Sequence, residues 1–325
     1  MMTRSVLLRR FALFAALAVC CGIAQAWPDR PVALVVPFSA GGPTDTIARI
    51  LAERISRAMG QPVVVENIAG AGGTIANARV IKAAPDGYTM MIGHVGTHVL
   101  AQAVQGLAVD YVNDFDPVAL VATNPQVILS RNGVPARNLQ ELLDWVRANP
   151  GKVSFGSGGA GTPSHVMAAQ FSTLVAPLNI LHYRGSGPAM LDVVAGHVDL
   201  SFDQAATGLA FARSGQVRAY AITSKSRIAS APDIPTVDEA GLPGFYMSVW
   251  HGIWVPRGTP RDVVNRLNGA LREALADPVV RKRFAEMGQE IPPVEQQTPE
   301  ALRAFHKSEI DKWHPIVKAA NIRAN

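Results

Sequence analysis

Short apolar runs of β type alternate along this chain with longer segments whose apolar residues recur at helical spacing. The run VALVVPF within Pro31 to Phe38 reads as a buried strand. Thr44 to Met59 follows with Ile47, Ile50, Leu51 and Ile55 on one helical face, and Gly60 ends it. The same alternation continues through a strand at Pro62 to Glu66, a helix at Thr74 to Ala83 and a strand at Tyr88 to Ile92. Further on come a strand at Val153 to Gly156, a helix at Pro163 to Leu174, a strand at Leu178 to Tyr183 and a helix at Pro188 to Ala195. Strands at Val198 to Phe202 and Arg218 to Thr223 lead into a helical final third, chiefly Arg261 to Ala276 and Pro299 to Lys318. Strand–helix–strand order of this kind predicts an α/β protein with mostly parallel sheets flanked by helices.

Glycine and proline sit at element ends rather than in a linker, so two lobes joined by sheet-crossing strands are expected, not a flexible tether. Crossings near Asn124 to Val127 and Ser248 to Trp254 divide the chain into a discontinuous lobe, 27–126 plus 250–325, and an inserted lobe, 127–249.

The first 26 residues change how composition is read. Arg4, Arg9 and Arg10 precede an apolar stretch from Phe11 to Val19, and Ala24-Gln25-Ala26 is a small-x-small cleavage site, so a periplasmic protein beginning at Trp27 is expected. Val19 before Cys20 is bulkier than a lipid-attachment motif tolerates. Both cysteines of the chain, Cys20 and Cys21, leave with this segment, which removes disulfides, thiolate metal sites and thiol nucleophiles from consideration. The three arginines leave too and take the net charge from +5 to +2. With no Lys/Arg block, neither nucleic acid nor a membrane surface is an expected partner. His94 and His98 stand four apart across a predicted loop, with no cysteine and no acidic pattern beside them, so no metal and no cofactor is expected.

Three glycine-rich strand-to-helix turns carry the candidate chemistry. They are Pro37 to Asp45 (PFSAGGPTD), Phe155 to His165 (FGSGGAGTPSH) and Tyr183 to Pro188 (YRGSGP). In each, glycines strip away side chains and a proline stands where the first helical residue belongs, a position at which its missing N–H costs nothing. The remaining first-turn N–H groups, backed by the helix dipole, suit an anionic group. Arg184 is the single cation in these turns, readable as a surface residue or interlobe ion pair and equally as a ligand contact.

The segments PFSAGGPTDTIAR (37–49), ENIAGAGGTIA (66–76), KAAPDGYTMMIG (82–93), FGSGGAGTPSH (155–165), YRGSGPAMLDVVAGHVDLSFD (183–203) and VWHGIWVPRGTP (249–260) resemble, in order, the Bug family of extracytoplasmic solute receptors. These are the binding-protein components of tripartite tricarboxylate transporters. The resemblance implies a type II periplasmic binding protein, a two-lobed clamp of the Venus-flytrap kind. It implies a small carboxylate ligand: an organic acid, an acidic amino acid or an aromatic carboxylate. Large and small integral membrane subunits are the implied partners of a monomeric receptor that performs no chemistry. A sensor-kinase ectodomain is the alternative partner, and the sequence does not separate transport from signalling.

Carried over by position, the implied ligand contacts are Phe38, Ser39, Ala40, Gly41, Gly42 and Asp45, facing Ser157, Gly158, Gly159, Thr162 and His165. Tyr183 joins them from the third turn. Asp45 also suits a capping role at the third helical position. Asp203, ending the SFD strand, is expected to meet a ligand amine or hydroxyl. Two departures from the family pattern, Ile68-Ala69 and His94, fall at positions where substrate identity resides.

Two rival readings are weaker. Gly156, Gly158 and Gly161 spell GxGxxG, but the following strand ends at His182-Tyr183-Arg184 without the ribose-binding acid of a dinucleotide fold. Ser157, His165 and Asp203 suggest an exported hydrolase, yet Gly-Ser-Gly-Gly is not the elbow that exposes a nucleophile.

Overall fold

The computed structural model describes residues 27–324, so the expected export segment, 1–26, lies outside the described residues. One sheet runs through the molecule in the strand order β2-β1-β3-β9-β4-β7-β5-β6, with β8 attached to β4. These strands are β1 (Val32–Val36), β2 (Val63–Asn67), β3 (Thr89–His94), β4 (Phe115–Arg131), β5 (Ser154–Ser157), β6 (Asn179–His182), β7 (Leu200–Gln204), β8 (Val217–Ile222) and β9 (Ser248–Pro256).

The helices are α1 (Pro43–Met59), α2 (Thr74–Ile81), α3 (Ala101–Gln105), α4 (Tyr111–Asp114), α5 (Leu139–Ala148), α6 (Pro163–Leu174), α7 (Ser186–Ala195), α8 (Ala205–Arg213), α9 (Arg261–Ala276), α10 (Pro278–Glu286) and α11 (Pro299–Ala319). This is the two-lobed α/β fold of the periplasmic binding proteins. In one lobe β1 pairs in parallel with β2 and β3, and in the other β5 pairs in parallel with β6 and β7.

β4 joins the lobes. Its Phe115–Pro125 stretch pairs antiparallel with β9, while Gln126 to Arg131 pairs with β7 and β8. One strand thus belongs to both lobes, and Asn124 to Gln126 lies where its partners change.

α1 shows how sequence sets these elements. Ile47, Ile50, Leu51 and Ile55 are buried toward the strands and Arg49 and Arg57 are solvent-facing. Gly60 takes the left-handed conformation, φ 70°, and its N–H closes the helix on Ser56 O. Beneath β7 and α6, Phe155, Phe171, Phe202 and Phe245 pack edge-to-face with centroids 4.7 to 5.9 Å apart.

Two details differ from the sequence reading. α7 begins at Ser186, so Pro188 is its third residue, still within the turn whose N–H groups lack helical partners. His94 and His98 do not flank a loop: His94 ends β3, and Gly96–Leu100 forms a π-helical turn that runs into α3. Trp250 is core, its indole N–H donating to Glu309 Oε2 at 2.9 Å.

Phe202→Ala removes the ring at the centre of the aromatic cluster and should destabilise the protein by about 3–5 kcal/mol. Urea unfolding measures this, and a loss below about 1 kcal/mol would place the core elsewhere.

Candidate functional site

Four helices begin around one small cavity. Gly42, Pro43 and Thr44 line it from the start of α1, Thr162, Pro163 and Ser164 from α6, Ser186 from α7 and Gln204 from α8. Phe38, His94, Gln126 and Gly158 complete the wall. A wider groove of about 810 Å³ lies outside this ring, along α11 near Val317 and Ile322.

The four starts are presented by the local sequence. Pro43 and Pro163 stand at the first helical positions, where no N–H is lost. Thr162 caps α6 with its side chain, accepting from His165 N–H at 3.4 Å, whereas α1, α7 and α8 have no side-chain cap. Their first-turn amides therefore depend on solvent or a ligand. Among the described residues no lysine, arginine, aspartate or glutamate lines the cavity, and the positive potential that the described residues supply there comes from helix ends.

His94 sits in the cavity wall, stacked on Phe38 with ring centroids 5.0 Å apart. Its Nδ1 accepts from Gly96 N–H at 2.8 Å, which puts the ring proton on Nε2. Burial pulls its pKa down to about 3, so the ring is a neutral donor at neutral pH. His251, its neighbour across β3 and β9, is held well below 6.5 by burial and meets Thr44 Oγ1 at 3.3 Å.

The sequence candidates divide into three groups. Phe38, Gly42, Gly158 and Thr162 line the cavity. Ser39, Ala40 and Gly41 stand at the seam between lobes: the Ser39 N–H and Oγ–H both donate to Arg184 O, at 3.1 and 3.0 Å. Arg184 thus enters the seam through its carbonyl, with an exposed side chain.

The third group holds the loops in shape. Asp45 Oδ2 accepts from Gly41 N–H and Arg49 Nε, both at 2.9 Å, and Oδ1 accepts from Asn67 at 3.0 Å. Burial alone would raise its pKa, but these hydrogen bonds, Arg49 foremost, outweigh it and hold the carboxyl below its usual value. In this geometry Asp45 braces the turn ahead of α1 and leaves the helix's own first-turn amides uncapped. Ser157 Oγ meets His182 Nδ1 at 2.6 Å, Gly159 O accepts from Thr162 Oγ1, and His165 Nδ1 accepts from Gly161 N–H at 3.1 Å. Tyr183 donates to Asp192, and burial together with that carboxylate pushes its phenol up to about 12.

Asp203 is the largest departure. Successive strand residues face opposite sides, and Gln204, not Asp203, lines the cavity. Asp203 is fully buried, with Oδ2 accepting from Thr207 Oγ1 at 2.5 Å. Desolvation raises its pKa to about 6, against the lowering effect of Thr207, the Gln204 amide and Ser186. Ser157 pairs with His182 rather than His165, and Asp203 is committed to α8, so the hydrolase trio is not assembled.

The sequence reading missed Thr44, Gln126, Ser164, Ser186 and Gln204. Thr44, Ser164 and Ser186 lay inside the flagged turns and were legible there. Gln126 was within a flagged crossing, but nothing local marked its side chain as cavity-facing.

The lobes are closed. Gln105 Nε2 donates both to Ala71 O in its own lobe, at 2.8 Å, and to Ala160 O in the other, at 3.2 Å. A Cβ at Gly72 would lie 2.1 Å from Ala160 O, and one at Gly161 would lie 2.5 Å from Ala101 Cα. Both glycines have positive φ, 63° and 81°. The closed cavity holds about 20 Å³, roughly room for one water.

The family profile described as "Tripartite tricarboxylate transporter family receptor" matches residues 47–322. The periplasmic binding protein BugD has 39% sequence identity and a TM-score of 0.88, over 91% of this chain and 99% of BugD. MatC from Rhodopseudomonas palustris, solved with bound malate, has 39% identity and a TM-score of 0.85, over 90% and 100%. A further R. palustris protein, solved with adipate, has 31% identity and a TM-score of 0.86, over 91% and 99%.

Gly72→Ala or Gly161→Ala should hold the lobes apart. Small-angle scattering should then give a larger radius of gyration than the parent, with an unchanged circular dichroism spectrum. Equal radii would show that these approaches do not govern closure. Stability should also depend on pH. His94, His165 and His306 are depressed in the folded protein to about 3, 4 and 4, chiefly by burial. The unfolded chain therefore binds more protons between about pH 4 and 6.5, and stability falls as pH drops through that window. Asp203 opposes this, since its raised pKa favours the folded state there, but one carboxyl works against three histidines. Thermal melts should show Tm falling from pH 7 to pH 4.5, and a rising Tm would contradict the assignment.

Proposed function

The chain belongs to the tripartite tricarboxylate transporter receptor family, and on that premise we propose that it is an exported receptor which closes its two lobes on a small organic acid. It then passes the ligand unaltered to integral membrane transporter subunits. The family is one of solute-binding receptors rather than enzymes. Among the described residues no helix is long and apolar enough to cross a membrane. Export through the first 26 residues is part of this reading.

The observation that carries it is the convergence of four helix starts on a cavity lined by no charged side chain. Each helix end stabilises a nearby anion by about 0.3–1 kcal/mol, and up to about 2 where partly buried. Hydrogen bonds to a charged group add about 1.5–3 kcal/mol each. Micromolar affinity corresponds to about 8 kcal/mol, so a few such amides suffice without a lysine or arginine. The malate and adipate of the two R. palustris proteins support a carboxylate as the anion.

In this reading Phe38, Gly42, Thr44, Gly158, Thr162, Ser164 and Ser186 hold the carboxylate. Ser39, Ala40, Gly41, Asp45, Ser157, Gly159, His165 and Tyr183 shape and close the loops. An acid of several heavy atoms needs the lobes to stand further apart than the one-water cavity allows. Binding is therefore coupled to opening and to re-closure at a wider spacing, and the ligand shifts that balance only by its preference for this wider form.

A thermal-shift panel of organic acids, amino acids, sugars and amines tests this. At about 100 times Kd a true ligand should add about 2.7 kcal/mol of stability. Stabilisation by carboxylates is expected. Stabilisation confined to neutral sugars or cationic amines would overturn the proposal.

A further inference from the structure

Resting on the carboxylate reading, we propose that Gln126, Gln204 and His94 form a second subsite that receives a hydroxyl of the acid, which both accepts and donates there, and excludes acids bearing an ammonium. Gln126 and Gln204 are register partners across β4 and β7, at the point where β4 passes between lobes, and both line the cavity. Asn124 Nδ2 donates to Gln204 Oε1 at 3.2 Å and to Gln289 Oε1 at 2.9 Å. That fixes the Gln204 amide with its Nε2 hydrogens unpartnered among the described residues. The backbone of Gln126 is anchored by Thr223 Oγ1 at 2.9 Å, while its buried Oε1 has no partner. Asn124 Oδ1 and Gln289 Nε2 are likewise buried and unpartnered.

Buried polar groups are nearly always satisfied, so such a cluster at a cavity floor requires an explanation. A ligand group supplies one. The groups that face it are two donors, Gln204 Nε2 and the Nε2–H of His94, and one acceptor, Gln126 Oε1, and all are neutral. They suit a hydroxyl, which accepts from the two donors and donates to Gln126 Oε1. An ammonium would meet two donors and one neutral acceptor, with no anion in the wall to replace its hydration, because Asp203 does not line the cavity. Where the sequence suggested an acid to meet a ligand amine, the strand alternation substitutes the adjoining glutamine.

Isothermal titration of the mature protein with malate, succinate and aspartate tests the proposal, since malate and aspartate share a skeleton and differ in hydroxyl against ammonium. Malate should bind at least about tenfold more tightly than aspartate. Gln126→Leu should lose at least about tenfold in malate affinity while the ligand-free protein melts no lower. Gln204→Glu keeps an acceptor for Asn124 yet introduces an anion, and should shift the preference toward aspartate by at least about tenfold. Aspartate binding as tightly as malate, or unchanged preference in Gln204→Glu, would overturn the subsite while leaving the carboxylate reading intact. Stabilisation by no carboxylate at all would remove both.

Discussion

A helix cannot satisfy the amide groups of its own first turn, and this site is built from that deficit. Ordinary proteins spread such ends over the surface or cap them with side chains. Here α1, α6, α7 and α8 all start at one volume, and three of them lack a side-chain cap. The parallel β–α connections place helix starts at the carboxyl ends of strands, and β4 brings the two lobes' strand ends face to face. An anion held by such amides needs no cation, and that frees the rest of the wall to be neutral. Selectivity then falls to hydroxyls, carboxamides and one histidine.

The same glycines that expose amides also allow the lobes to meet. Gly72 and Gly161 touch backbone of the opposite lobe so closely that no side chain fits. Ser39 and Gln105 add hydrogen bonds across the seam, both to backbone carbonyls. Carbonyl acceptors tolerate sequence change, so closure and ligand choice are carried by different residues. Closing strength lies at the rim and ligand identity at the floor.

Much of this was legible in the chain. The apolar alternation around β1, α1, β2 and α2 gave the first lobe, and Pro43 and Pro163 marked two of the four helix starts. The third start was displaced by two residues, because Ser186 and Gly187 already adopt helical geometry ahead of Pro188. The fourth start, at Gln204, carries neither proline nor a capping side chain and gave no local signal. Asp203 drew attention as an acid at a strand end, yet the residue facing the cavity is its neighbour. One-residue alternation decides that, and it is fixed by pairing with β4, a long-range contact invisible in local sequence. Ser39 and Asp45 sit in the right loop, but tertiary partners, Arg184 across the seam and Arg49 and Asn67 within the lobe, settle their geometry. His94 was marked only as a departure from the family pattern, and it stands in the cavity wall.

The central claim is that backbone amides at these helix starts take the negative charge. Amide-resolved NMR titration of the mature protein with malate reads it directly. The largest shifts should fall on the first-turn N–H groups of Thr44, Ser164, Gly187 and Ala206, drawn from both lobes and saturating together. Saturable shifts confined to surface arginines and lysines, with those four amides unmoved, would contradict the account.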